Sequence, residues 1–179
     1  MKKTLLFLAI LLTVSIGPTD ASTQLQNTLA KIEMSTDSTR LAELDHYWAK
    51  MSQTVKEGDY EGYGALYHPD AVVVLATRED KSSMPIAEAL AGWEKGFKET
   101  KEGKNQNKVE FRFSQRIGDE TTAHETGLFL FTSIDSNGKV LSKSVIHLEM
   151  LLVKKDGSWY GLMEYQISVG TMEEWEGLE

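Results

Sequence analysis

Val109-Glu110-Phe111-Arg112-Phe113-Ser114 alternates apolar with polar side chains. A strand sends successive side chains to opposite faces, so this stretch reads as a strand half exposed to solvent. Gly118-Asp119 is a turn signal, and a strand from Thr121 to Ile134 follows it. Asp135-Ser136-Asn137-Gly138 supplies the asparagine and glycine that tolerate positive φ in a tight hairpin, and the strand from Val140 to Val153 returns. A third turn, Lys155-Asp156-Gly157, leads to a last strand from Trp159 to Ser168. Four long antiparallel strands joined by tight turns therefore occupy the C-terminal part of the chain.

Upstream the period changes from two to nearly four. Leu41, Leu44, Trp48, Met51 and Val55 share one helical face, with Asp37 or Ser38 as the expected cap and Gly58 as the stop. Asp59 caps a second, shorter helix carrying Tyr60, Tyr63, Leu66 and Tyr67, which His68-Pro69-Asp70 breaks, because a residue before proline is pushed out of the α region. Ala71-Val72-Val73-Val74-Leu75 is β-branched and apolar on both faces, as a buried strand is. Arg78 to Pro85 reads as polar loop, and Ile86, Leu90, Trp93 and Phe97 mark a third amphipathic helix that ends in the polar stretch Lys101 to Asn107. Three helices, one strand among them and four antiparallel strands after them predict an α+β fold, with the helices packed on one side of a curved, mostly antiparallel sheet. Such a sheet wrapped on its helices leaves a concave mouth.

The chain has 179 residues, enough for one domain and a targeting segment. Lys2 and Lys3, the apolar run Leu5 to Ile16, then Gly17, Pro18 and Thr19-Asp20-Ala21 have the tripartite pattern of a secretory signal with cleavage after Ala21. That predicts a signal peptide over 1–21, a linker over 22–40 with room for a short helix around Leu25, Leu29 and Ile32, one domain over 41–170 and an acidic tail over 171–179. The expected location is periplasmic or secreted, with no stable membrane association after cleavage. There is no cysteine, so a disulfide, a lipid-anchored cysteine and thiol catalysis are all excluded. Removing Lys2, Lys3 and Asp20 takes the formal charge from −8 to −9. A chain this acidic repels phosphate backbones, so nucleic acid is not an expected partner.

The stretch Lys56-Glu57-Gly58-Asp59, followed by Ala65-Leu66-Tyr67-His68-Pro69-Asp70-Ala71-Val72-Val73, resembles the opening of the nuclear transport factor 2-like superfamily. Lys154-Lys155-Asp156-Gly157-Ser158-Trp159 is similar to the hairpin that precedes that superfamily's last strand. The resemblance runs from about Leu41 to Ser168, and its nearest branches are the small SnoaL-like and ketosteroid-isomerase-like bacterial domains. It implies a cone-shaped α+β barrel with a pocket between sheet and helices. It implies either an exported domain that binds a small, largely apolar molecule, with cofactor-free acid/base chemistry of the isomerase or dehydratase type open to it, or a non-catalytic association domain. A homodimer paired through the open sheet face is expected. No cofactor and no metal are expected.

Ketosteroid isomerase uses a tyrosine on the first helix, a general-base aspartate on the first strand and a protonated aspartate on a later strand. Counted from the shared motifs, these places fall on Met51, Leu75 and Glu149. Neither methionine nor leucine moves a proton, so that reaction is not expected. Glu149 stands within the apolar run Val145 to Val153, where burial would raise its pKa. Period two places His147 on its face, and a hairpin register set by Asp135 to Gly138 places His124 roughly opposite. The next hairpin brings Tyr165 to that face. Glu149, His147 and His124 are thus the candidate acid/base residues; alternatively the whole face turns outward, toward solvent or a second copy. The resemblance puts Tyr67 and Trp93 in the pocket wall with Met51, Leu75 and Tyr165, although on amphipathic helices the aromatics, Trp48 included, also suit a plain core. Trp175, in the acidic tail, is either exposed or folded back over the cone.

Overall fold

The computed structural model describes residues 19–178. Most of the expected signal segment, 1–18, lies outside the described residues. The chain divides into two units, Met1–Ser35 and Thr36–Glu179. In the first, the described residues are helical. The second holds the sheet and everything that packs on it.

In chain order the elements are α1 (Thr19–Glu57), α2 (Tyr60–Gly64), β1 (Tyr67–Leu75), β2 (Ser82–Pro85), α3 (Ile86–Lys101), β3 (Asn105–Gly118), β4 (Thr122–Asp135), β5 (Val140–Lys155), β6 (Ser158–Val169) and α4 (Met172–Gly177). One six-stranded sheet has the order β2-β1-β6-β5-β4-β3. β1 runs parallel to β6, and every other neighbouring pair is antiparallel. The sheet is unclosed, with β2 and β3 as its edges. Register shifts interrupt β3 at Phe113/Gln115 and β5–β6 at Leu151/Leu152, and such bulges bend a strand and increase its twist.

Three local expectations are corrected. Helix α1 does not begin at Asp37 or Ser38 but starts at Thr19 and runs unbroken to Glu57. No glycine or proline stands between Thr19 and Glu57, so nothing stops the helix there, and Asp37 pairs one turn on with Arg40 instead. Tyr67 opens a strand rather than closing a helix. The β1–β6 ladder jumps from Tyr67↔Gly161 to Val72↔Met163 across His68-Pro69-Asp70, where proline has no N–H to give. Ser82–Pro85 is an edge strand, not a loop, because Val72–Leu75 offers it a template. The expected cap at Asp59 is present: its Oδ1 accepts from the Gly62 N–H at 3.0 Å.

The sheet has two differently covered faces. On the inner face Val73, Ala123, Leu148, Met150 and Leu152 pack against Leu44, Tyr47, Trp48 and Met51 of α1 and Ile86 and Ala89 of α3. Each fully buried large side chain contributes roughly 1.5–3 kcal/mol, which is how a cysteine-free domain holds together. On the outer face Leu128, Leu130 and Val145 are covered by Trp175 of α4. That short helix carries a full capping box, Thr171 with Glu174. Arg112 fastens its end, donating from Nη1 to the carbonyls of Trp175 (2.7 Å) and Leu178 (2.6 Å), with its guanidinium 4.6 Å from the indole centroid. The acidic tail is thus an ordered strap on the sheet's outer face.

Candidate functional site

Strand alternation decides which side chains meet the interior. On β5, Ile146, Leu148 and Met150 face the helices, so His147 and Glu149 face away. The inner face does not close completely on α1 and α3. A cavity of about 520 Å³ remains, lined deep down by Trp48, Met51, Leu148 and Met150 and toward α3 by Trp93 and Phe97. Its size falls in the range of roughly 300–1,000 Å³ that suits small-molecule sites. Phe111, Phe129 and Phe131 extend the wall along β3 and β4. The lining also carries the polar side chains Asn107 and Gln166, and the exposed Arg78 and Ser144 at its solvent edge.

Helix α3 opens onto this cavity through two glycines. Gly92 and Gly96 stand four residues apart in its wall, and a Cβ built on either meets no atom within 4 Å. Glycine inside a helix costs roughly 0.5–1 kcal/mol relative to alanine. Gly92 is exposed, so the space beside it is open to solvent; Gly96 is half-buried, and there the missing side chain leaves room at the cavity wall.

The wall contains one buried acid, Glu164, which is 5% exposed. Glu164 stands opposite Met150, with Val73 on its other side, and so faces inward with them. Its Oε2 accepts from the Tyr67 hydroxyl, and its Oε1 accepts from Gln166 Nε2 at 2.7 Å. Tyr67 in turn shares a hydrogen bond with the Tyr63 hydroxyl at 3.1 Å. Burial raises the Glu164 pKa above its ordinary value, against the opposing pull of those two donors. Burial also pushes both tyrosine hydroxyls up, helped by the nearby Glu164 charge, so they remain protonated donors. The arrangement is a carboxyl group biased toward its neutral form, oriented by an amide and a tyrosine relay, at the wall of an aromatic cavity.

A second buried acid is structural. Glu125, 1% exposed, accepts from Trp48 Nε1 and pairs with Arg116, which also reaches Asp45 at 2.6 Å. Both of its oxygens are engaged, and it does not line the cavity.

The candidate acid/base residues from the sequence lie elsewhere. Glu149, His147 and His124 share one face, and that face is the outer one: the expectation that Glu149 points into the cup is corrected. His124 Nε2 lies 3.6 Å from Glu149 Oε2, although its direct partner is Leu151, and Glu149 faces Thr126. His147 Nε2 lies 3.3 Å from Glu174 Oε1, holding the α4 strap rather than Glu149. Tyr165 pairs with Glu149 and is on the outer face too. Met51 and Trp93 line the cavity, Tyr67 stands behind Glu164, and Leu75 packs at the edge of the core. The residue that sequence reasoning missed is Glu164. It is the only charged side chain in β6, and with Tyr165 on the Glu149 face it takes the opposite face, which is the inner one once Glu149 points outward.

No protein-family model matches the chain, and no curated protein matches it either. Solved structures do match. A conserved protein from Planctomyces limnophilus aligns at a TM-score of 0.61 and 13% identity, over 74% of this chain and 98% of that one. A nuclear transport factor 2-like protein of unknown function from Shewanella oneidensis aligns at 0.55 and 14%, over 70% and 97%. A Catenulispora acidiphila protein, solved in complex with S-DNPA, aligns at 0.52 and 18%, over 71% and 91%. The chain has the nuclear transport factor 2-like fold.

Proposed function

We propose that this domain binds a small, largely apolar molecule in the cavity between α3 and the sheet, and that Glu164 exchanges a proton or shares a hydrogen bond with an oxygen of that molecule. The observation that carries this reading is the buried Glu164 in the wall of a cavity that is otherwise aromatic and aliphatic. The Catenulispora acidiphila protein of the same fold, solved in complex with S-DNPA, supports it. A carboxyl whose pKa is raised by burial is suited to acid/base work near neutral pH, and the relay from Tyr67 supplies a donor beside it. Isomerisation and dehydration are the cofactor-free reactions within reach of such a pair.

The test reads the proton on Glu164. Because its folded pKa lies above the unfolded value of about 4.5, the folded state holds the proton more tightly. That contribution to stability is full below the unfolded pKa and is lost as pH rises through the folded one. Glu164→Gln keeps an acceptor for Tyr67 and removes the titration. Urea unfolding across pH 4 to 9 should therefore show the variant gaining stability over the wild type as pH rises. A difference independent of pH would remove Glu164 from the proposed role.

We further propose that the chain is exported after cleavage following Ala21, and that it pairs with a second copy through the outer face of the sheet. The face supports this with a cross-strand row, Val72–Met163–Leu151–His124–Ile117, spanning five strands, with Val72 38% and Ile117 52% exposed. This row is also what favours the association-domain reading. Among the described residues no helix is long and apolar enough to cross a membrane. Native mass spectrometry of the exported protein is expected to give a dimer whose subunit begins at Ser22. A subunit retaining Met1 overturns the first proposal, and a monomer at micromolar concentration overturns the second.

A further inference from the structure

We propose that the molecule held in this cavity is an amphipathic organic anion, with an apolar or aromatic body between α3 and the sheet and an oxyanion, such as a carboxylate, paired with Arg78 at the rim. The proposal rests on the cavity reading above and adds the charge and orientation of its ligand.

The chain has four arginines, and three are spoken for. Arg40 pairs with Asp37, Arg116 with Asp45 and Glu125, and Arg112 with two carbonyls and the Trp175 ring. Arg78 lines the cavity and, among the described residues, has neither a hydrogen-bond nor an ion-pair partner. Its sequence neighbours Glu79 and Asp80 are exposed and make no pair with it. The chain carries 27 acidic and 19 basic side chains, so its net field is negative and a cation in the cavity lining is the local exception to it. No other cationic side chain lines the cavity. A single positive charge at the mouth of a low-dielectric cleft concentrates anions there, and a guanidinium matches an oxyanion with two parallel donors.

The rest of the wall agrees with one charged end rather than two. The only acid in it, Glu164, lies deep and is biased by burial toward its neutral form, so it does not repel an anion. Between the two groups the lining is Trp93, Phe97, Phe129, Met51 and their neighbours, which accept an apolar body. The ligand therefore enters with its uncharged end first and leaves its anionic group at Arg78.

Two fluorophores with one ring system test this. Anilinonaphthalene sulfonate is anionic, and phenylnaphthylamine is its uncharged parent. Both are expected to bind the wild type, and Gly96→Leu is expected to abolish both, which locates them in the cavity. Arg78→Ala should weaken the sulfonate about tenfold and leave the neutral dye within about twofold. Arg78→Lys should fall between, since it keeps the charge and loses the fork. Added salt should erode only the Arg78-dependent part. If Arg78→Ala changes both dyes alike or neither, the anionic-ligand proposal is overturned and the cavity reading stands. If neither dye binds the wild type, or Gly96→Leu binds both as well, the cavity reading itself is overturned.

Discussion

Gly96→Leu is expected to abolish binding of apolar probes, by about a hundredfold or more, while the domain stays folded and gains about 0.5–1 kcal/mol of helix propensity. The two effects separate because of where Gly96 stands. It is in the interior of α3, with ordinary helical backbone, and a Cβ placed on it meets nothing within 4 Å. A side chain there does not push on Phe97 or the sheet; it grows into the cavity that Gly96 lines. Overpacking usually costs a core 1–3 kcal/mol because there is no room, and here the room is the binding site. Gly92→Ala and Gly96→Ala supply intermediate steps, each adding helix propensity and taking away a little volume. Fluorescence titration with phenylnaphthylamine reads the binding, and thermal unfolding reads the stability. A Gly96→Leu protein that binds as tightly as the wild type would show that the cavity is not where small molecules go. A half-buried glycine in the wall of a cavity exchanges helix propensity for space, as a site that trades stability for function does.

The fold was legible in the sequence because it follows from periods and turns. The strands after Val109 and their hairpins at Asp135–Gly138 and Lys155–Gly157 appear within a few residues of the expected limits. What could not be read locally was the short edge strand Ser82–Pro85, whose pairing comes from its partner and not from its own propensity. The site was half legible. Period two correctly placed His147 and Glu149 on one face of β5 but does not say which face is inside. The answer lay in the other set, Ile146, Leu148, Met150 and Leu152, which has no polar group at all and so takes the core. A buried acid does exist, one strand away, at Glu164. With Tyr165 expected on the Glu149 face, the neighbouring Glu164 follows as its opposite by period two; what a short stretch of sequence does not carry is which of the two faces is inside.

Trp175→Ala is expected to destabilise the domain by about 3–5 kcal/mol and to leave cavity binding unchanged. Trp175 is 6% exposed and is the only large side chain that α4 lays on Leu128, Leu130 and Val145. The helix is six residues long, far too short to persist on its own in water. Its capping box and the Arg112 bonds to its last carbonyls hold it only while the indole is seated. Losing the indole therefore releases the whole strap, and an apolar patch on β4 and β5 meets water. Two comparisons separate docking from other causes. Glu176→Ala, on the exposed side of the same helix, should change stability by less than about 0.5 kcal/mol. Arg112→Ala should cost less than the tryptophan, since it removes two hydrogen bonds and a ring contact but leaves the apolar seal. Urea unfolding measures all three, and amide exchange over Leu128–Leu130 reports the uncovered strand. A Trp175→Ala protein within 1 kcal/mol of the wild type would mean that α4 is not docked in solution. Because the strap and the cavity lie on opposite faces of one sheet, the two large effects should be independent. Gly96→Leu removes binding without loss of stability, and Trp175→Ala removes stability without loss of binding. The double variant should show the sum of both, as sites with no shared partners do.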